Sequence, residues 1–375
     1  MGGAAAAGAG RGGRDVTPLA AKLTARIRAG GPMTVADFMA ACLADPEHGY
    51  YMRHEPFGRA GDFVTAPEVS QMFGELIGLW SVAVWEMMDE PAEFAFVELG
   101  PGRGTMMADM LRTAHVKPRF LDAARVHLVE ISPRLKEIQG ATLAAATVPI
   151  VWHDRIDAVP AGPAIVIANE FFDAMPIRQF CWQDDTWSER VIGLTRDDAI
   201  AFGLIPVDQR PPAVELPAGA VVETSPTAKA VATTIAERLV ADGGAALIVD
   251  YGSDRPGYGD TLQAVSGHRY VSPLAAPGEA DITAHVDFLA LAQTATRAGA
   301  RCRPVMNQGE FLVRLGLVDR ARVLGRGLDR PARDAIAAAM ERLAGPKAMG
   351  DLFKVLAISA PALRLPVLDA AGLPN

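Results

Sequence analysis

Phe94-Ala-Phe-Val-Glu98-Leu-Gly100-Pro101-Gly102-Arg103-Gly104-Thr105 is the stretch whose reading decides how this chain folds. A short apolar run ends in an acid and passes into three glycines at alternate positions; a helical stretch, Met106 to Thr113, follows at once. Buried strand, tight turn and helix N-terminus, in that order, make the first βαβ element of a nucleotide-binding sheet. Glycines in the turn let backbone approach a ligand that a Cβ would hold away. The spacing then narrows the ligand. Dinucleotide folds usually carry GxGxxG, which seats a pyrophosphate on the helix, and P-loops add a lysine. Here the spacing is GxGxG, an acid stands just before it and no such lysine follows.

Working outward, Val126-His-Leu-Val-Glu130 reads as strand two, with Glu130 about 26 residues past the last motif glycine. A carboxylate at that strand tip can accept both ribose hydroxyls of a nucleoside. Ser132 and Pro133 fit an N-cap and first position of the next helix. Val148 to Trp152, Ala164 to Ala168 and Ala245 to Asp250 read as strands three, four and five, with a helix from Thr227 to Ala241 before the last. Near-continuous apolar strands alternating with helices indicate an α/β protein with a parallel sheet covered on both faces. Arg301 to Met306 and Phe353 to Ser359 read as two late strands. Ligands bind outside the carboxyl ends of such strands. Glu130, Asp154, Glu170 and Asp250 are therefore expected to face one crevice. The GxGxG turn after an acid resembles motif I of class I S-adenosylmethionine (SAM) methyltransferases, whose ligand has no phosphate.

The chain has 375 residues, half of them hydrophobic, and a net charge of -8. That length can bury one large core, or one core plus a subdomain. The negative balance argues against nucleic-acid binding by broad phosphate neutralisation. Three distant cysteines and seven scattered histidines give neither a disulfide framework nor metal spacing, so no metal is expected. No apolar run approaches a transmembrane helix, so no membrane insertion is expected. Residues 1–16 are expected to be a disordered tail, being largely low-complexity Ala/Gly. Residues 17–92 read as an N-terminal helical cap region. Residues 93–375 read as the methyltransferase core, with insertions at about 179–223 and 253–301. Insertions at strand C-termini are the usual place for substrate selectivity.

Six segments in order resemble one group. They are Gly61 to Gln71, Val97 to Thr105, Asn169 to Pro176, Gly267 to Arg269, Gly278 to Phe288 and Gln308 to Glu310. The group is the MidA-type SAM-dependent methyltransferases, which include a mitochondrial complex I assembly factor; the resemblance spans about residues 17 to 360. It implies a Rossmann-like class I SAM-methyltransferase sheet with an N-terminal helical region and inserted substrate-side segments. It also implies SAM as cofactor and a protein arginine methyltransferase that makes symmetric dimethylarginine on a complex I core subunit. A small-molecule methyltransferase and a non-catalytic SAM-binding assembly factor are the alternatives. A homodimer is left open. Alanine- and arginine-rich composition suits a bacterial chain, so a cytoplasmic location is expected, with the mitochondrial matrix as the alternative.

An arginine acceptor is planar and cationic, with a pKa above about 12, so it needs carboxylates to orient it and to receive a proton. Glu170 and Asp173, just past strand four, are the candidates, Glu170 first. Glu170 could instead cap a helix after that strand, and Asp173 could be a solvated first-turn acid. His285 enters through the family motif as an acid/base or substrate-loop residue; the alternative is a hydrogen-bonded structural histidine. Candidate cofactor contacts are Gly61, Asp62, Glu98, Gly100, Gly102, Gly104, Glu130, Asp154 and Asn169. Gly61 and Asp62 precede a helix and suit the methionine part of SAM, or form an ordinary capped turn. Asp154 follows strand three, where adenine is commonly met, or closes a turn.

Overall fold

The computed structural model describes residues 17–54, 65–183, 186–208, 217–255 and 257–369. The expected N-terminal tail and the candidates Gly61 and Asp62 lie outside them. The central sheet is built from β1 (Phe94–Leu99), β2 (Ala124–Val129), β3 (Ile150–His153), β4 (Ala164–Asn169), β5 (Gly244–Ser253) and β6 (Phe353–Ser359). Its order is β3-β2-β1-β4-β5-β6, with the two-residue strand Arg301–Cys302 outside β6. β1 to β5 pair in parallel, and β6 runs antiparallel to β5 and to Arg301–Cys302. Every residue of β1 and β4 is buried, as continuous apolar strands covered on both faces must be. The order reverses between β1 and β4, and a crevice for a ligand opens at that switch point.

Two helical layers cover the sheet. On one face, α1 (Gln71–Met87) and α2 (Thr105–Ala114) share a core with Phe94, Phe96, Ile165, Leu247 and Val355. On the other, α4 (Pro226–Asp242) and α5 (Phe288–Arg297) pack on Val97, Val166 and Ile248. Between them in sequence comes α3 (Pro133–Thr142), which starts where expected: Ser132 caps it, accepting from Leu135 N–H, and Pro133 opens it.

The N-terminal stretch divides between two cores. α1 belongs to the sheet, whereas the helices Pro18–Gly30 and Val35–Ala44 form a third core with Ile177 and Ile192 of the second insertion and Ala264 and Ile282 of the third. The second insertion is an antiparallel sheet of Arg178–Gln183, Thr186–Leu194, Ile200–Pro206 and Val221–Thr224, which also takes in Met33–Thr34. No helix follows β4. The chain makes a turn there and enters Arg178–Gln183, so the helix that Glu170 was to cap does not exist.

α1 and α2 approach through glycine. A Cβ on Gly78 would stand 2.8 Å from Met110 Cα, and one on Gly74 would stand 2.7 Å from Asp109 Cβ. Glu75, 1% exposed on the same helix, holds Arg112 at 2.5 Å and Arg320 at 2.6 and 2.8 Å. Gly78→Val forces a side chain into the Met110 backbone, and overpacking of this kind costs about 1–3 kcal/mol. Urea unfolding of the variant is expected to show a lower midpoint with an unchanged slope.

Candidate active site

β1 delivers Glu98 and the glycine turn to the switch point; β4 delivers Asn169 and Glu170. A cleft opens between them, lined by Glu98, Gly100 to Arg103, Thr105, Met106, Asn169 and Glu170. Thr65, Pro67 and Glu68 close one wall. That wall is tied to both strands: Ala66 N–H donates to Glu170 Oε1 at 2.8 Å, and Thr105 Oγ1 donates to Glu68 Oε1 at 2.8 Å.

The turn needs its glycines. Gly100, Gly102 and Gly104 have φ of 62°, 54° and 81°, a region that side chains disfavour. Gly100 has a second reason: a Cβ there would stand 2.8 Å from the Phe171 ring. Glu98 is 2% exposed, its Oε2 has no hydrogen-bond partner, and burial pushes its pKa up to about 8.

Glu130, the residue after β2, is buried beside the cleft. Its Oε1 accepts from Ser132 N–H at 2.8 Å and its Oε2 from Gln139 Nε2 at 3.2 Å. Gln139 Nε2 also donates to the Gly102 carbonyl at 2.8 Å, so one amide couples the acid to the glycine turn. Burial raises the Glu130 pKa against those donors. Asp154 is not brought in. It stands on the surface, 2.6 Å from Lys136 Nζ, because the chain leaves β3 outward.

Past β4 the acids gather. Asn169 Nδ2 donates to Glu170 Oε1 at 3.1 Å, and Asn169 Oδ1 is buried without a partner. Glu170 adopts a left-handed φ of 48°. Burial, then the Asp173 charge, raise its pKa to about 7, against Ala66 N–H, Asn169 and Arg342. Asp173 is 7% exposed with Oδ1 unpartnered, and burial brings it to about 6. Asp250 does not face the crevice as expected. Its Oδ2 accepts from the N–H groups of Phe171, Phe172 and Asp173 at 3.1, 2.9 and 3.2 Å, and its Oδ1 from Tyr251 N–H at 2.9 Å. Nor is His285 in the cleft. It lines a separate hollow with Glu223, Ser225, Lys229 and Asp287, its backbone N–H donating to Thr261 Oγ1 at 2.9 Å.

Sequence reasoning did not point to Pro67 and Glu68 as lining the cleft, nor to Gln139 as the link between Glu130 and the glycine turn. Gln139 lies nine residues past Glu130 on another element, and no spacing rule points to it. Phe171 lies close over the motif glycine Gly100.

A family model described as "Putative S-adenosyl-L-methionine-dependent methyltransferase" matches residues 76–306. The chain belongs to this family, the MidA-type SAM-dependent methyltransferases. It is 36% identical over 377 residues to the "Protein arginine methyltransferase NDUFAF7 homolog, mitochondrial" of Drosophila melanogaster, covering 91% of this chain and 84% of that protein. It is 34% identical over 377 residues to the human protein arginine methyltransferase NDUFAF7, mitochondrial, covering 92% and 83%. A Burkholderia thailandensis protein solved with S-adenosyl-homocysteine bound superposes with a TM-score of 0.80 at 29% identity, covering 94% of this chain and 93% of that one. The enzyme is a SAM-dependent methyltransferase. The cytoplasmic expectation runs against the mitochondrial names of these relatives.

The residues present fit SAM. The cofactor carries an ammonium and a carboxylate on its methionine part, and the orphaned Glu98 carboxylate in the cleft suits the ammonium. Three positive-φ glycines bare the backbone beside it, and Glu130 is oriented by two donors at the β2 tip, where ribose hydroxyls are met. Glu98 has opposite effects on binding and stability. With a folded pKa of about 8 against 4.5 unfolded, the empty enzyme holds a proton that the unfolded chain has released, so stability falls as pH rises from 4.5 through 8. Glu98→Gln is therefore expected to raise the melting temperature of the empty enzyme at pH 8. The same change should weaken S-adenosylhomocysteine binding by about tenfold or more in calorimetry, the worth of a charged hydrogen bond.

Proposed function

We propose that this enzyme methylates arginine in a protein acceptor, a core subunit of respiratory complex I, to symmetric dimethylarginine in support of assembly. The observation that carries the reading is the buried carboxylate pair Glu170 and Asp173 just past β4, Glu170 in the cleft and Asp173 with one oxygen unpartnered. The relatives named protein arginine methyltransferase support it, and their names favour the mitochondrial matrix over a bacterial cytoplasm as its compartment.

SAM, when bound, supplies an electrophilic methyl on its sulfonium. In this reading Glu98, Gly100, Gly102, Gly104, Glu130 and Asn169 hold it, with Gly61 and Asp62 joining from outside the described residues. Glu170 orients the guanidinium. Its carboxylate is fixed by Ala66 N–H and Asn169, so little freedom is lost when the planar cation docks. A nitrogen that gains a methyl carries an extra positive charge and gives up a proton, which a carboxylate of pKa near 7 can accept and pass to solvent. Asp173 provides the second contact.

The test is tritiated SAM with purified complex I core subunits, followed by hydrolysis and identification of the methylated amino acid. Glu170→Gln should keep S-adenosylhomocysteine affinity and lose about 100-fold or more in turnover, as removal of a general base does. Wild-type turnover should fall as pH drops through about 7, where Glu170 gains its proton. Label recovered only on lysine, or none on protein, would overturn the arginine reading.

A further inference from the structure

The third insertion carries the Gly267-to-Arg269 and Gly278-to-Phe288 segments, yet no residue of either lines the cofactor cleft. Gly267 to Arg269 form the tip of an exposed hairpin. We propose that this hairpin is a docking prong for the protein acceptor, with Arg269 and Tyr270 as anchors and an acidic, partly apolar patch of the acceptor as their counterpart. The inference rests on the protein-acceptor reading above.

The prong is short and stiff. Strands Gln263–Ser266 and Arg269–Val271 pair with Ser266 opposite Arg269 and Val265 opposite Tyr270. Gly267 and His268 join them with φ of 57° and 59°. Positive φ at both central residues belongs to the type I′ turn, whose twist matches that of the strands it joins. The base is fixed in the protein. Ala264 and Val265 are 1% and 7% exposed, and Gln263–Ser266 pairs on its other edge with Asp281–Thr283, a strand buried throughout.

Beyond that base, every residue from Gly267 to Val271 is exposed, Tyr270 by 78%. A ring left in water forgoes the burial that makes aromatics large contributors to packing. The Arg269 side chain has neither an ion pair nor a hydrogen bond among the described residues. Tyrosine and arginine are the residue types enriched at the energetic centres of interfaces, and a rigid turn leaves them little entropy to lose on docking. On a chain of net charge -8, a cation at a projecting tip selects an acidic partner surface.

The prong is also tied to the acceptor end of the site. Asp281–Thr283 runs on into Ala284, whose N–H donates to the Asp173 carbonyl at 3.0 Å. Asp281 lies opposite Val265, one residue before the Ser266 that faces Arg269. Arg269 therefore stands about 13 Å along the strands from Ala284, at about 3.3 Å per residue. A protein that seats an arginine at Glu170 reaches that far with residues a few positions away, whereas a free arginine does not.

Arg269→Ala and Tyr270→Ala change exposed side chains, so melting temperature and S-adenosylhomocysteine affinity should match wild type. Turnover of a short arginine peptide without acidic residues should stay within twofold. With purified complex I core subunits, each variant should raise KM at least tenfold while kcat stays within twofold. Interferometry of the S-adenosylhomocysteine-loaded enzyme on the same subunits should show a matching loss of affinity. Added salt should weaken wild-type binding and affect Arg269→Ala less. If both variants keep wild-type KM and affinity for the subunits, the prong does not dock the acceptor and the inference fails. If wild type binds no core subunit, it fails as well. If wild type binds through the prong and labels no arginine, the arginine reading falls and the docking inference stands.

Discussion

The grip of Asp250 on the backbone past β4 is the constraint on which the site depends. One carboxylate oxygen takes three successive N–H groups, those of Phe171, Phe172 and Asp173, and the other takes Tyr251 N–H. Three amides converging on one oxygen curl the chain into a nest, which an extended strand could not offer. The chain entering that curl must turn at Glu170, which explains its left-handed φ of 48° without a glycine. Glu170 then points back to Ala66 N–H, and Phe171 is laid over Gly100. Strand end, Glu170 and the glycine turn are thus set by one buried acid.

That arrangement gathers buried acids around the site. Burial raises the pKa of Glu98, Glu130, Glu170, Asp173 and Asp250, and mutual repulsion adds to it for Glu170 and Asp250. Such a cluster is costly to fold unless it is met by protons or cations. The cofactor's ammonium and the guanidinium of the proposed acceptor are both cations. Stability foregone in the empty protein is thereby available as differential affinity when they enter.

Some of this was legible because it is local. The GxGxG turn, the Ser132–Pro133 helix start and the apolar strands depend on neighbours a few residues away, and each appears where the pattern puts it. Other features were hidden because their partners are remote. Asp250 and Phe172 are 78 residues apart, and an acid at a strand tip looks the same whether it faces a ligand or a backbone nest. Asp154 lost its place by the same ambiguity, its partner Lys136 being on α3. The capping alternative for Glu170 failed because it assumed a helix where the chain instead turns. The N-terminal stretch read as one helical cap because both parts are helical; which core each joins depends on insertions more than a hundred residues later.

By itself the sequence determined the strands of a parallel sheet, the SAM-type turn and the family, since spacing and apolar runs act through short-range backbone geometry. Only the tertiary structure decided which carboxylates face the cleft and which hold the chain. A carboxylate's role is set by the donors that reach it, and here those donors arrive from other strands and insertions.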